Sequence, residues 1–432
     1  MKILSRKKRI IFTCILILMA LLIVEVAAFT IYYILRKEIF PWSKYQLAIR
    51  NRSKYGKVLG PKDNQMRNTE LQLGGFVEVI HPYLGFVLDP KRTQNVSDFG
   101  FFDDINPMIP RTEDTLIVAL FGGSFAAGLW RHGRDVLINS LKVTGKNIVV
   151  VNLTMGGYKQ PQQLLALTYL LSLGAEFDIV INIDGFNEIA LPPSENIPKN
   201  IFPIYPRAWY FRVAGVTDPQ ALRQVARLAV LDQRRKNWAQ LFAISKLYHS
   251  VASCLLWEAV DRLLESKRTG IILALQRGRI LSKEYVVTGP QYSFSNDDAL
   301  YDYLAKAWKR CSFQMRAICD ANGIRYYHFL QPNQYVEGSK PMKQEERAVA
   351  INDENPYRIS VVKGYPFLRR YGHDLIGLGV KFHDLTMTFA GIEDILYGDD
   401  CCHLNKQGYK IIATTIGDVF EEDLLPETQT AR

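Results

Sequence analysis

Three short apolar runs constrain this chain most. Leu116 to Phe121 ends in Gly122-Gly123, Ile148 to Leu153 runs into a turn holding Gly156-Gly157, and Ile179 to Ile183 leads into Asp184-Gly185. Each is too short for a stable helix and apolar almost throughout, the pattern of a strand covered on both faces. Between the second and third, Pro161 to Leu173 is apolar at helical spacing and closed by Gly174. A fourth run, Ile324 to Leu330, follows a helical stretch from Asn296 to Asn322, for which Ser295, Asp297 and Asp298 supply an N-cap and first-turn acids and Gly323 a stop. A last helix is expected over roughly Lys406 to Phe420. Strands alternating with helices predict βαβ units and an α/β fold with a parallel sheet.

A different signal precedes this domain. Ile10 to Leu35 is apolar apart from Glu25 and a few small or hydroxyl residues, and follows a basic tail, residues 1–9, with Lys2, Arg6, Lys7, Lys8 and Arg9. At about 1.5 Å per residue the run is long enough to cross a bilayer core of about 30 Å. Arg36, Lys37, Lys44, Arg50, Arg52 and Lys54 follow closely, so the loop charges nearly balance. The short, strongly basic tail stays inside most easily, which predicts a single-pass anchor with the C-terminal domain outside the cytoplasm. The alternative is a secreted protein with a cleaved signal peptide, for which Val26-Ala27-Ala28 offers small residues. The apolar character continues through Ile31, Tyr32, Tyr33, Ile34 and Leu35, favouring the uncleaved anchor at 10–35.

Residues 36–114 carry turn residues and charge without a sustained period and read as a membrane-proximal segment leading into the domain at 115–432. Within that domain, 191–294 is an insertion: prolines at 192, 193, 198, 203 and 206 open it, and helical sequence follows around Ala221 to Arg235 and Ser245 to Leu264. It is expected to cap the α/β core, with Phe202, Tyr205, Trp209, Tyr210 and Phe211 available to line an acyl or glycan site. The net charge of +10 is spread along the chain apart from the tail, so no nucleic-acid partner is expected. Cys14 lies in the anchor; Cys254, Cys311, Cys319, Cys401 and Cys402 remain, an odd number that leaves at least one thiol unpaired. Cys311 and Cys319, about 12 Å apart on one helix, cannot bridge each other.

In an open α/β sheet the loops leaving the carboxyl ends of the strands form the reactive crevice. After the first run comes Gly122-Gly123-Ser124-Phe125, where two glycines permit a sharp turn that presents the Ser124 hydroxyl. After the second comes Asn152-Leu153-Thr154-Met155-Gly156-Gly157-Tyr158, and after the third Asp184-Gly185-Phe186-Asn187-Glu188, which sets an amide at the same edge. Glu188 is read as holding its loop. Asp399-Asp400-Cys401-Cys402-His403-Leu404-Asn405 places an acid three residues before a histidine, a spacing that lets a carboxylate accept from one ring nitrogen while the other takes a proton from a serine. Asp399 is the alternative acid. His81 and His328 read as packed residues, and His132, His249, His373 and His383 show no metal-ligand spacing, His383-Asp384 being the best of these for substrate contact.

Gly122-Gly123-Ser124, Gly157, Gly185-Phe186-Asn187-Glu188 and Asp400-Cys401-Cys402-His403, in this order, resemble the four blocks of the SGNH (GDSL-type) hydrolases, over about residues 115–190 and 295–420. The resemblance implies a flavodoxin-like α/β/α sandwich. It implies Ser124 as nucleophile, His403 as base and then acid, and Asp400 as its orienting group. The N–H groups of Ser124 and Gly157 and the side-chain amide of Asn187 would form the oxyanion hole. It implies no metal and no other cofactor. Gly123 departs from the family's usual Asp, Cys401-Cys402 is unusual, and the insertion accounts for the long separation of Ser124 from His403.

The function expected is a membrane-anchored serine esterase or deacylase acting on O-acyl, foremost O-acetyl, esters of an envelope glycan, a lipid or a small molecule. An O-acyltransferase that uses the same serine to acetylate an extracytoplasmic polysaccharide is the alternative, and a noncatalytic envelope scaffold the third.

Overall fold

A computed structural model describes residues 6–55, 78–91, 93, 95–103, 105–210, 212–213, 219–277 and 284–424. Its principal elements are α1 (Arg6–Arg36), α2 (Trp42–Tyr55), β1 (Glu78–His81), β2 (Gly85–Leu88), β3 (Thr115–Gly122), α3 (Ser124–Leu141), β4 (Asn147–Thr154), α4 (Gln162–Ser172), β5 (Ile179–Asp184) and α5 (Phe186–Leu191). They continue with α6 (Pro219–Ile244), α7 (Val251–Arg277), α8 (Asp297–Ala321), β6 (Arg325–Leu330), α9 (Pro356–Gly377), β7 (Lys381–Asp384) and α10 (Lys406–Leu424). The chain divides into two compact units, Met1–Gly75 with Ala214–Arg279, and Phe76–Val213 with Ile280–Arg432.

The second unit is built on a parallel sheet of five strands in the order β4-β3-β5-β6-β7. This is the flavodoxin-like order, in which the chain reverses direction across the sheet at β3. Alternate residues of the central strands feed two separate cores. Ile117, Ala119, Phe121, Val151, Leu153 and Val180 face one side with α4, α8 and α9. Val118, Leu120, Val150, Ile179, Ile181 and Ile183 face the other with α3 and α10. Three layers result, and burial of both faces explains why these strands read as continuous apolar runs rather than alternating ones.

On the second face α3 and α10 meet through missing side chains. A Cβ at Gly128 would fall 2.1 Å from the Tyr409 ring, and one at Gly133 would fall 2.8 Å from Ala413 Cβ. Only glycine allows this close approach.

Several elements differ from the sequence expectation. The cap of α8 is Asn296, whose side chain accepts from Ala299 N at 2.9 Å, one residue past Ser295. The described residues from Glu78 to Val213 belong to the α/β unit. Phe86, Val87, Leu88 and Phe101 are buried in its core, and Asp103 Oδ2 accepts from Asn152 N at 2.9 Å. Strand β7 has four residues with a charge at each end, and α9 carries Gly364, Pro366 and Gly372, so neither shows a clean period. The insertion does not stay together: residues 191–213 lie in the α/β unit, while α6 and α7 join α1 and α2.

In that other unit α6 and α7 form an antiparallel hairpin. Asp232 pairs with Arg268 at 2.9 Å, and Arg235 binds Asp261 through two contacts of 2.9 and 3.0 Å. Ala28 and Tyr32 of α1 pack with Phe40, Tyr45 and Ile49 against Val251, Cys254 and Trp257. The stretch Ile11–Arg36 is long and apolar enough to cross a membrane by length and composition, and residues 11–24 are exposed along their whole length.

Candidate active site

The site lies at the carboxyl ends of β3, β4 and β5, beside the point where the strand order reverses. Gly122 has φ +146 and brings the chain so close to β5 that a Cβ there would fall 2.2 Å from Ile183 O. The turn ends at Gly123, and Ser124 is the first residue of α3. The unpaired N–H groups of that helix end favour negative charge developing beside the serine.

Ser124 Oγ lies 2.8 Å from His403 Nε2. His403 Nδ1 lies 2.5 Å from Asp399 Oδ2, and the other oxygen of that carboxylate accepts from Cys401 N, Cys402 N and His403 N at 3.0, 3.0 and 3.1 Å. The acid beside His403 is therefore Asp399 rather than Asp400. The chain wraps around the Asp399 carboxylate, and three successive N–H groups turn it until the imidazole meets the free oxygen. Asp400 faces the opposite way: its side chain accepts from Asn352 Nδ2 at 2.8 Å, and its carbonyl accepts from Tyr335 Oη and Asn355 Nδ2 at 2.9 and 2.8 Å.

Burial opposes a charge on His403, but the hydrogen bond and charge of Asp399 outweigh it and lift the imidazole pKa to about 9. Burial also works against charge on Asp399; its bonds to His403 and the backbone reverse that and hold its pKa below the usual carboxylate range.

Asn187, at the start of α5, is buried against the same turn. A Cβ built on Gly123 would fall 2.3 Å from Asn187 Nδ2, so the glycine lets the Asn187 amide lie close against the turn. One amide hydrogen of Asn187 is donated to Tyr158 O at 2.7 Å, leaving the other as a donor. Gly157, with φ +80, stands one residue before Tyr158 on the neighbouring turn. Glu188 ties the two turns together, accepting from Gln160 N and from Gly185 N, each at 2.9 Å. Burial and the nearby Asp184 charge push its carboxyl up to about 8. The structure thus groups Ser124, His403 and Asn187 in one place with Gly157 beside them, and substitutes Asp399 for Asp400.

Arg207 carries no motif and was not legible in the sequence. A Cβ at Gly157 would fall 2.5 Å from its Cδ, so this side chain lies over the Gly157 turn. Its guanidinium pairs with Glu195, Nε at 3.0 and 3.1 Å and Nη2 at 2.9 Å, and Tyr357 Oη donates to the same carboxylate at 3.3 Å. The charge of Arg207 opposes protonation of His403. The segment is pinned from below by buried Lys159, whose Nζ donates to Pro203 O at 2.8 Å and to Tyr205 O, and whose pKa burial lowers to about 7.

Of the expected aromatic lining, Phe202, Tyr205 and Trp209 pack edge to face on one another, and Trp209 Nε1 donates to Val286 O at 2.6 Å; Phe211 lies outside the described residues. His328 is fully buried between Asp184, at 2.9 Å, and Ser312, at 2.7 Å. His383 stacks on Phe329.

Cys401, Cys402 and His403 each place one potential metal-ligating atom within 4.8 Å of the others. Both ring nitrogens of His403 are already engaged by Asp399 and Ser124, and burial raises the Cys402 thiol pKa well above its ordinary value. The arrangement as it stands is a hydrogen-bonded chain from Ser124 through His403 to Asp399, with a buried amide beside it.

No protein-family model matches the sequence, and no curated protein matches it. Among solved structures, a GDSL-like lipase from Bacteroides thetaiotaomicron VPI-5482 is similar at 12% sequence identity, covering 73% of this chain and 92% of the lipase, with a TM-score of 0.33.

Proposed function

We propose that this protein is a membrane-anchored serine esterase or deacylase, cleaving O-acyl and foremost O-acetyl esters of an envelope glycan, a lipid or a small molecule. The observation that carries this reading is the continuous hydrogen-bonded path from Ser124 Oγ through His403 to Asp399. A serine hydroxyl is a weak nucleophile near neutral pH, and an imidazole held at hydrogen-bond distance takes its proton as the oxygen attacks an acyl carbonyl. The negative oxygen that forms is met by the N–H groups of Ser124 and Gly157 and the second amide hydrogen of Asn187. His403 then gives its proton to the departing alcohol, and water, activated by the same imidazole, releases the acid from the acyl-enzyme.

The apolar helix α1 is the anchor in this reading, and its basic tail keeps the N-terminus in the cytoplasm and the reactive unit outside. Fluorophosphonate labelling of the detergent-solubilised protein tests the chemistry. The wild type is expected to label and Ser124→Ala to remain unlabelled; equal labelling of both overturns the assignment of the nucleophile. Adding a glycan acceptor to acetyl-ester turnover separates hydrolysis from transfer by whether free acetate falls as acetylated glycan appears.

A further inference from the structure

Glu25 is the one acidic residue inside the apolar run, and the structure gives it partners. Its carboxylate accepts from Ser250 Oγ at 2.7 Å, from Ala252 N at 3.3 Å and from Val251 N. These groups form the beginning of α7, so the carboxylate caps that helix and meets the positive end of its dipole. Along α1 the covered positions are Glu25, Ala28 and Tyr32, one stripe at helical spacing, and at the start of α7 they are Val251, Cys254 and Trp257. The two helices therefore run side by side in the same direction from Glu25 and Val251 onward, and the α6–α7 turn lies level with Glu25.

That level can be placed against a bilayer. The fully exposed part of α1, residues 11–24, spans about 21 Å at about 1.5 Å per residue, against about 30 Å for a hydrocarbon core. The missing length is about six residues, which carries the outer boundary to the neighbourhood of Phe29 and Thr30 and leaves Glu25 beneath it. Whatever stands level with Glu25 then stands at membrane depth as well.

The α6–α7 turn has the composition this position requires. From Asn237 to Trp257 the sequence holds one formally charged residue, Lys246, and no acid. Leu241, Ile244, Leu247 and Leu256 are exposed there, Ile244 by 82%. The groove between α1 and the start of α7 is lined beside Glu25 by Val26, Phe29, Thr30, Trp42 and Val251. Large apolar side chains without protein cover around a single cation fit the outer interface of a bilayer, where lysine meets lipid phosphates.

We infer that the tip of the α6–α7 hairpin, residues 241–256, is seated in the outer leaflet beside α1, with the capped Glu25 lying at that depth, so that lipid rather than another protein covers Leu241, Ile244, Leu247 and Leu256. The inference rests on α1 being an uncleaved anchor. It accounts for a carboxylate inside a membrane span, which is costly unless paired, because the hairpin supplies its donors at the same depth.

The test uses the full-length protein in vesicles of phosphatidylcholine and phosphatidylglycerol, labelled in parallel by a phospholipid carrying a diazirine on its acyl chain and by a water-soluble diazirine, with labelled residues located by mass spectrometry. Labelling of 241–256 by the lipid probe several-fold above the soluble probe, together with labelling of 11–24, is the expected result. Lipid labelling of 11–24 with 241–256 labelled mainly from water overturns the seated hairpin and leaves the anchor standing. Failure of the lipid probe on both segments overturns the anchor and the hairpin together.

Discussion

His403 Nδ1 sits 2.5 Å from Asp399 Oδ2, while the carboxylate of the next residue, Asp400, is held by Asn352. Two neighbouring acids thus have separable consequences. Asp399→Asn is expected to lower kcat for acetyl-ester hydrolysis by about a thousandfold or more, since the imidazole loses both its orientation and its stabilising charge. Asp400→Asn should change kcat by less than about threefold, the scale of a surface substitution. Steady-state kinetics on the two variants checks the pair, and equal losses would restore Asp400 to the relay.

The pH profile follows from the same contact. With its pKa raised from 6.5 to about 9, most of His403 carries a proton at neutral pH, and only the neutral fraction can accept one from Ser124. Below that value kcat/KM should rise about tenfold per pH unit and level off above it. Asp399→Asn removes the principal cause of the upward shift, so the bend in its residual activity should move to lower pH.

Ser124 and His403 are expected to act as a unit although 279 residues separate them. Ser124→Ala and His403→Ala should each abolish most turnover, and the double variant should be little worse than either single one. Losses that multiply in the double variant would show independent roles. Folding of each is followed by circular dichroism.

Asn187→Ala should lower kcat by about a hundredfold or more with KM nearly unchanged, because the lost hydrogen bond is to an oxyanion that exists only during reaction. Gly123→Asp should displace the Asn187 amide from its present position and lower kcat by less than Asn187→Ala, which removes the donor. Full activity in Asn187→Ala would remove Asn187 from the oxyanion site.

Breaking the Arg207–Glu195 pair leaves one largely buried charge without its partner. Arg207→Ala is expected to cost about 3 kcal/mol of stability, measured by urea unfolding of the solubilised protein. Glu195→Gln should cost less, because the amide still offers Arg207 an oxygen.

The sheet was legible because its strands are buried on both faces. Apolar runs such as Ile179 to Ile183 have no other economical reading, and the glycine turns after them marked the edge where Ser124 and His403 meet. What escaped was set by contacts between distant parts of the chain. Four-residue β7 carries too little pattern, and α9 hides its period behind Pro366 and two glycines used for packing. The choice between Asp399 and Asp400 depended on three backbone N–H groups converging on one oxygen, which spacing along the sequence does not reveal. Arg207 lies in a proline-rich stretch without periodicity, and only the close approach of its Cδ to Gly157 marks it. The insertion read as one cap because its prolines and helices are contiguous; its halves pack in different units.

The seam between α3 and α10 also bears on the Ser124–His403 contact. Ser124 opens the first of these helices and His403 stands three residues ahead of the second, so the distance between the two side chains is set where Gly128 meets Tyr409 and Gly133 meets Ala413. Chain inserted between the two residues lengthens the path along the backbone without lengthening the path through space. A bulky residue introduced at Gly128 therefore threatens the Ser124–His403 contact directly, however long the chain between the two residues.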